Sequence, residues 1–267
     1  MAVVTERRGG LVYQSAQGIS APHCFTTRLG GVSRGYLASL NIGFTRGDDR
    51  ENVLENYRIL GQALGFAPEQ VVCTRQTHTD IVRMVTKADM GTGVTRPAFP
   101  DCDALVTKDA GVVLTVFTAD CTPILLHDPV TGTVGAVHAG WRGTAADIVG
   151  KTVAAMAALG SRRADICAAI GPNIGQCCFE TDGDVPEAIR KTLGEAAEDY
   201  IRAQGDKYYV NLKGVNAWLL RRAGVGHIEV SELCTACRTD LFWSHRRMGA
   251  QRGSQGALIL CEGSVEA

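Results

Sequence analysis

Three residues of this chain have the types and settings to do chemistry together. The apolar run Val112–Phe117 reads as a buried strand and breaks at Ala119-Asp120-Cys121-Thr122-Pro123. A second run, Ile124–Leu126, leads to Asp128-Pro129 and a turn at Thr131-Gly132. A third, Val134–Val137, ends on His138, with Ala139-Gly140-Trp141-Arg142-Gly143 directly after it. His78 lies in Arg75–Asp80, between the short strands expected at Val71–Thr74 and Ile81–Val85. A cysteine thiolate with two imidazoles is a zinc donor set that leaves a fourth position for water or substrate. The separations match no short metal motif. The residue types therefore carry the suggestion, and the same residues also read as one buried thiol and two hydrogen-bonded histidines.

Other candidates carry less. Cys234-Thr235-Ala236-Cys237 is a C-x-x-C, but a structural zinc needs a second pair, and Cys261 is the only cysteine that follows. The expectation is two buried or partly buried thiols, with the adjacent Cys177 and Cys178 packing at a turn. His245 sits in a cationic, aromatic patch, Trp243-Ser244-His245-Arg246-Arg247, which could be a surface cluster or could hold an anionic or aromatic ligand. Nothing in the chain fits a G-x-x-x-x-G-K-[ST] phosphate loop, a strand-linked G-x-G-x-x-G or a G-x-S-x-G elbow.

The elements that must position these residues follow from periodicity. Glu51–Leu64 is a predicted helix, with Val53, Tyr57, Leu60 and Leu64 on one face, Asp48 or Asp49 as its cap and Gly65 as its stop. Thr144–Leu159 is predicted as one helix, which sets Arg142 just before a helix N-terminus, a favourable place for an anion. Val185–Ile201 and Leu212–Ala223 are further helices. Asp103–Thr107, Ile166–Ile170, Ile228–Val230 and Ala257–Cys261 are further strands. Lys87–Cys102, with two glycines and two prolines, reads as a surface loop that could act as a lid. Strands and helices interleave without repeat or linker, which predicts one α+β domain of mixed sheets, spanning residues 1–267.

Composition sets the outer limits. The 267 residues are 45% hydrophobic and 21% charged, ordinary for a globular protein. A net charge of −1 gives no general drive toward nucleic acid or acidic membranes, so any anion site must be local. No apolar run approaches the roughly 20 residues of a spanning helix. The N-terminus has no apolar core like a signal peptide's. The expectation is a cytoplasmic protein whose ten cysteines form no disulfide framework.

Several blocks carry a family likeness: Thr27–Ser33, Ser39–Gly43, Gly47–Asp49, Gln76–His78, Thr118–Pro123, Val137–Gly143, Gly171–Glu180 and Phe242–Arg247. Taken in order, they resemble the successive motifs of the YfiH/LACC1 family, also called the multicopper polyphenol oxidase or laccase domain. The likeness runs from about Thr26 to Leu260. Thr77 and Thr79 depart from it, since family members more often carry Val and Gly there. The resemblance implies mixed sheets flanked by helices, related to putative cysteine hydrolases. It implies zinc held by His78, Cys121 and His138. It also implies purine nucleoside phosphorolysis, with adenosine, inosine, guanosine and methylthioadenosine as substrates, and adenosine deamination as a further activity.

On that implied chemistry, Arg46, Arg142 and Arg246 are the candidates for holding phosphate, and Asp120 and Asn41 for orienting or proton-handling roles. Each arginine reads first as a surface or structural ion pair. Copper could replace zinc, because it binds such ligands more tightly. A true multicopper oxidase needs more imidazoles than the six scattered histidines supply. The alternative enzyme is a cysteine hydrolase editing a peptidoglycan precursor, with Cys121 as nucleophile and His138 or His78 as base. A non-catalytic metal-binding protein is the third reading.

Overall fold

The structure, a computed structural model, describes residues 3–264. The first two and last three residues of the expected 1–267 domain lie outside the described residues. Strands β1 (Val3–Arg8), β2 (Leu11–Ala16) and β3 (His23–Thr26) precede helix α1 (Arg50–Leu64). Then come β4 (Val71–Cys73), β5 (Val82–Met84), β6 (Ala104–Thr107), β7 (Val113–Thr118), β8 (Thr122–His127) and β9 (Val134–Ala139). Helices α2 (Trp141–Ala145) and α3 (Ile148–Ala158) lead to β10 (Cys167–Ile170), β11 (Glu180–Thr181) and α4 (Asp184–Leu193). The chain finishes with β12 (Ile201–Gln204), β13 (Lys207–Val210), α5 (Leu212–Arg222), β14 (His227–Val230), α6 (His245–Met248) and β15 (Gln255–Leu260).

One six-stranded sheet has the order β1-β2-β3-β15-β7-β4 and the other β14-β10-β8-β9-β6-β5; β11-β13-β12 form a small third sheet. Both large sheets are mixed, with β4/β7, β5/β6 and β10/β14 parallel. The two-residue alternation of strands decides the layers. Leu114 and Val116 of β7 pack with Leu105, Leu125 and Ala136 of the second sheet, forming a core between the sheets. The alternate residues Val106, Ile124, Leu126 and Val137 face outward onto α3 and α5. On the far side, Val71, Val113 and Leu258 meet Val53, Tyr57 and Leu60 of α1. Each such fully buried aliphatic side chain contributes ~1.5–3 kcal/mol.

Helix α1 starts and stops where its sequence signals stand. Asp49 accepts from the Glu51 N–H, and Gly65 at φ 83° closes the last turn. Two helices differ from expectation. The stretch 144–159 is not one helix, because Asp147 takes a left-handed conformation (φ 57°) and caps a new helix by accepting from Gly150 N–H. Arg142 therefore lies inside the five-residue α2 and not before a long helix. The predicted helix 185–201 ends at Leu193, where Gly194 turns to φ 63°, and Ile201 already begins β12. No helix of the described residues is long and apolar enough to cross a membrane.

Candidate active site

The chain passes from the first sheet to the second in two neighbouring places. One is the loop from β4 to β5, which carries His78. The other is Ala119-Asp120-Cys121, between β7 and β8. His138 arrives on β9, opposite Pro123 in the ladder, so it stands beside Cys121 across adjacent strands. The donor atoms of His78, Cys121 and His138 all lie within 4.8 Å of one another. Cys121 Sγ is 3.8 Å from His78 Nε2, and the two imidazoles meet edge to face at 5.0 Å between centroids.

The arrangement is held by a carboxylate that the sequence reading took only as the start of a strand. Asp103, fully buried ahead of β6, accepts from His138 Nδ1 at 2.7 Å. It also accepts from the backbone N–H groups of Thr77, His78 and Thr79, and from Thr79 Oγ1 at 2.7 Å. These bonds stabilise the left-handed backbone of His78 (φ 64°), a conformation that is costly for a non-glycine residue. They also fix the tautomer of His138, so that its Nε2 faces the cleft. The signal for Asp103 was a carboxylate directly ahead of the apolar run Ala104-Leu105-Val106. Gly140 is needed for space: a Cβ there would lie 2.8 Å from His78 Cδ2 and 3.4 Å from Cys121 Sγ.

The electrostatics follow from this packing. Burial opposes ionisation of Cys121, but the neighbouring His138 and the hydrogen bond from His78 outweigh it and bring the thiol down to about 6. Burial likewise opposes charge on His138, yet Cys121 and Asp103 raise it to about 9. Asp103, despite its burial, is held at about 2 by His138 and Thr79. Metal-free protein thus presents a thiolate and an imidazolium side by side.

Asp120, also left-handed at φ 89°, turns its carboxylate away from the cluster. It accepts from Thr235 Oγ1, Ser244 Oγ and the Arg246 backbone N–H at 2.6, 3.0 and 2.7 Å. It pins the next stretches of chain against Cys121. A cleft of about 710 Å³ opens over the cluster, walled by Phe44, Phe117, Trp141 and Phe179 among others. Gly93 and Ala98, from the segment expected as a surface loop, form part of its rim.

Arg46, Arg142 and Arg246 all line this cleft. Arg246 donates to the carbonyls of Cys178 and Glu180, so its guanidinium is already occupied. Arg142 stacks on Trp141 at 4.2 Å, and Arg46 Nε donates to Ser254 Oγ. Asn41 is fully buried away from the cleft lining. Its amide binds Gly43, Asp48 and Ser254, so it braces the wall and does not face the cavity. The sequence reading missed Arg252, a buried cleft arginine whose Nε reaches His245 Nδ1 at 3.4 Å. Burial, and then the charge of Arg46, depress it to about 10. Its only signal was an arginine isolated in a glycine-rich stretch. Among the described residues, none of Arg46, Arg142 and Arg252 belongs to an ion pair.

Fold and site define a mixed-sheet α+β protein with a single Cys/His/His centre in a cleft between sheets. Residues 22–262 match the family described as multi-copper polyphenol oxidoreductase laccase, and the chain belongs to that family. It is 41% identical to the purine nucleoside phosphorylase YlmD of Geobacillus stearothermophilus, over 98% of this chain and 96% of that one. The crystal structure of YlmD from the same organism superposes with a TM-score of 0.91 at 39% identity, covering 99% of this chain and 100% of that one. A protein named adenosine deaminase RL5, from an unknown prokaryotic organism, is 35% identical over 90% of this chain and 93% of its own. The donor set fits one metal ion. It does not fit a multicopper cluster, because the histidine-containing group among the described residues has only two imidazoles.

Proposed function

We propose that this chain is a zinc-dependent purine nucleoside phosphorylase acting on adenosine, inosine, guanosine and methylthioadenosine, with adenosine deamination as a second activity. The observation that carries the reading is one cleft in which a thiolate and two imidazoles adjoin arginines without carboxylate partners. The relatives named phosphorylase and deaminase support it. His78, Cys121 and His138 would hold the zinc, which as a Lewis acid would stabilise developing negative charge; copper would fit the same donors. Both Arg46 and Arg252 line the cleft, and the charge of Arg46 depresses Arg252, so a bound anion would relieve that repulsion; Arg142, stacked on Trp141, is a third donor. Inorganic phosphate so held attacks C1′ of the ribose as the bond from C1′ to the purine nitrogen breaks. The products are ribose-1-phosphate and the base, which takes up a proton. The aromatic walls offer stacking faces for the purine. His138 keeps its Nδ1 proton on Asp103 throughout, which holds the ring in place. Asp120 orients the Arg246 wall through the bonds its carboxylate accepts.

Base release from inosine and adenosine, with and without phosphate, by protein of measured zinc content tests this. Hypoxanthine and ribose-1-phosphate should form only with phosphate. Ammonia from adenosine independent of phosphate would make deamination the main activity. Neither base nor ammonia from zinc-loaded protein would end the nucleoside reading.

One observation favours a second reading. Asp103, His138 and Cys121 stand in line as carboxylate, imidazole and thiol, the order of a cysteine hydrolase. On this reading metal-free protein would hydrolyse an amide of a peptidoglycan precursor through an acyl-thiol on Cys121. Amide hydrolysis that survives chelation and stops on alkylation would favour it.

A further inference from the structure

A second cluster of ligating side chains lies outside the site just described. The sequence separates Cys177-Cys178 from Cys234-Thr235-Ala236-Cys237 widely, and suggests packing for both. The fold brings them together for a topological reason. β10 and β14 are adjacent and parallel, with Ile170 opposite Val230, so the loops that follow them leave the same end of the sheet side by side. The pairing continues into the loops through a bridge between Asn173 and Cys234, with Thr235 N–H on Asn173 carbonyl at 3.0 Å. Two tight turns then aim the sulfurs inward. Cys178 N–H bonds to Gly175 carbonyl, and Arg238 N–H to Cys234 carbonyl.

We propose that Cys177, Cys178, Cys234 and Cys237 form a second metal site, a tetrathiolate that binds one zinc-class divalent cation and staples these two loops. All four sulfurs lie within 4.8 Å of one another. Cys237 Sγ is 3.6 Å from Cys177 Sγ and 3.4 Å from Cys178 Sγ. Zinc–sulfur bonds of about 2.3 Å in a tetrahedron put sulfurs about 3.8 Å apart, whereas a disulfide needs about 2.05 Å. The surroundings are those of a thiolate cluster. Gly175 N–H donates to Cys234 Sγ at 3.1 Å. A Cβ on Gly175 would meet Cys177 Sγ and Cys234 Cβ at 3.2 Å, so the backbone wraps the sulfurs too closely for any side chain there. Arg247 Nη2 points at Cys178 Sγ at 3.6 Å. Lys213 is half-buried, donates to the carbonyls of Ser231 and Leu233, and has no carboxylate partner among the described residues. A zinc with four thiolates carries a net charge of −2, and these two cations would balance it.

The stapled loops build one wall of the cleft. They carry Ile174, Phe179, His245 and Arg246, and they clamp Asp120 through Thr235, Ser244 and the Arg246 backbone. The ion would thus set the position of the wall beside Cys121 without touching the reaction.

Metal counting tests the site, on full-length protein purified under reductant and without oxygen. Wild type should hold two divalent ions per chain, and C178S/C237S and Cys121→Ala one each. Cobalt added to metal-free Cys121→Ala should give the intense sulfur-to-metal absorption of a tetrahedral thiolate site, at one ion per chain. C178S/C237S should also show faster proteolysis within residues 171–180. The proposal is overturned if wild type holds one ion and C178S/C237S still holds one, or if cobalt gives no thiolate absorption in Cys121→Ala. A mass 2 Da low, from a disulfide that forms in the reduced protein's place and admits no ion, would also overturn it. Because the two ions are lost in different variants, failure here is distinct from failure of the nucleoside reading.

Discussion

Replacing Asp103 with Asn keeps the side-chain shape and removes the charge. The carboxylate accepts five hydrogen bonds, two at Oδ1 (His78 N and His138 Nδ1) and three at Oδ2 (Thr77 N, Thr79 N and Thr79 Oγ1). An amide NH₂ can accept none of these, so whichever way it turns it faces at least two donors. Bonds to a charged acceptor are each worth ~1.5–3 kcal/mol, so Asp103→Asn should cost about 3–6 kcal/mol of a total near 5–15. The imidazole loses its anchor as well, and loss of such an outer partner lowers metal affinity about 10–100-fold. Thr79→Val, which removes the Oγ1 bond to Asp103 and the longer one accepted from Ile81 N–H but keeps the charge, should cost about 1.5–3 kcal/mol and leave His138 anchored. Urea unfolding gives the stability, and competition with a chelator of known affinity gives zinc binding to the Cys121 site. Asp103→Asn protein that matches wild type in both would refute the claim that this carboxylate organises the site.

Further outcomes follow from the same geometry. Cys121→Ala should lose one zinc and all nucleoside turnover, because two neutral imidazoles hold zinc far less well than two imidazoles with a thiolate; retained turnover would assign the chemistry elsewhere. In metal-free protein, alkylation of Cys121 by iodoacetamide should rise with pH around a midpoint of about 6, and His138→Asn should move it toward the ordinary ~8.5. The signs of the linked stability agree. The depressed thiol's share is lost as pH falls through about 6, and the raised imidazole's as pH rises through about 9, so metal-free protein should be most resistant to urea between them. Arg252→Met should raise KM for phosphate at least tenfold with a smaller change in kcat. Arg142→Ala should do so more weakly, since Arg142 is the more exposed of the two; equal KM values in all three proteins would remove the anion site from this cleft.

Local signals were enough for much of the scaffold. The period of Val53, Tyr57 and Leu60, a carboxylate cap and a left-handed glycine specify α1 wherever the chain places it. Apolar runs broken by turn residues specify β7, β8 and β9, and with them the strand-end settings of Cys121 and His138. The chain's membership of its family was also legible in its motifs. The helix 144–159 was misread because alanines, Ile148 and two valines continue a helical pattern through Asp147, whose left-handed turn depends on its side chain reaching Gly150. What the sequence could not express was which distant segments become neighbours. Asp103 looks like a strand's first residue until β6 is paired with β9 and its carboxylate meets His138. Arg252 looks like a loop arginine until the path from β14 to β15 carries it into the same cleft as Arg46. Cys177-Cys178 and the C-x-x-C look like packing until the parallel pairing of β10 with β14 sends both loops off one sheet end. Side-chain type and period are local properties of the chain, whereas strand order is decided by how two apolar faces are buried against each other, and strand order brought these groups together.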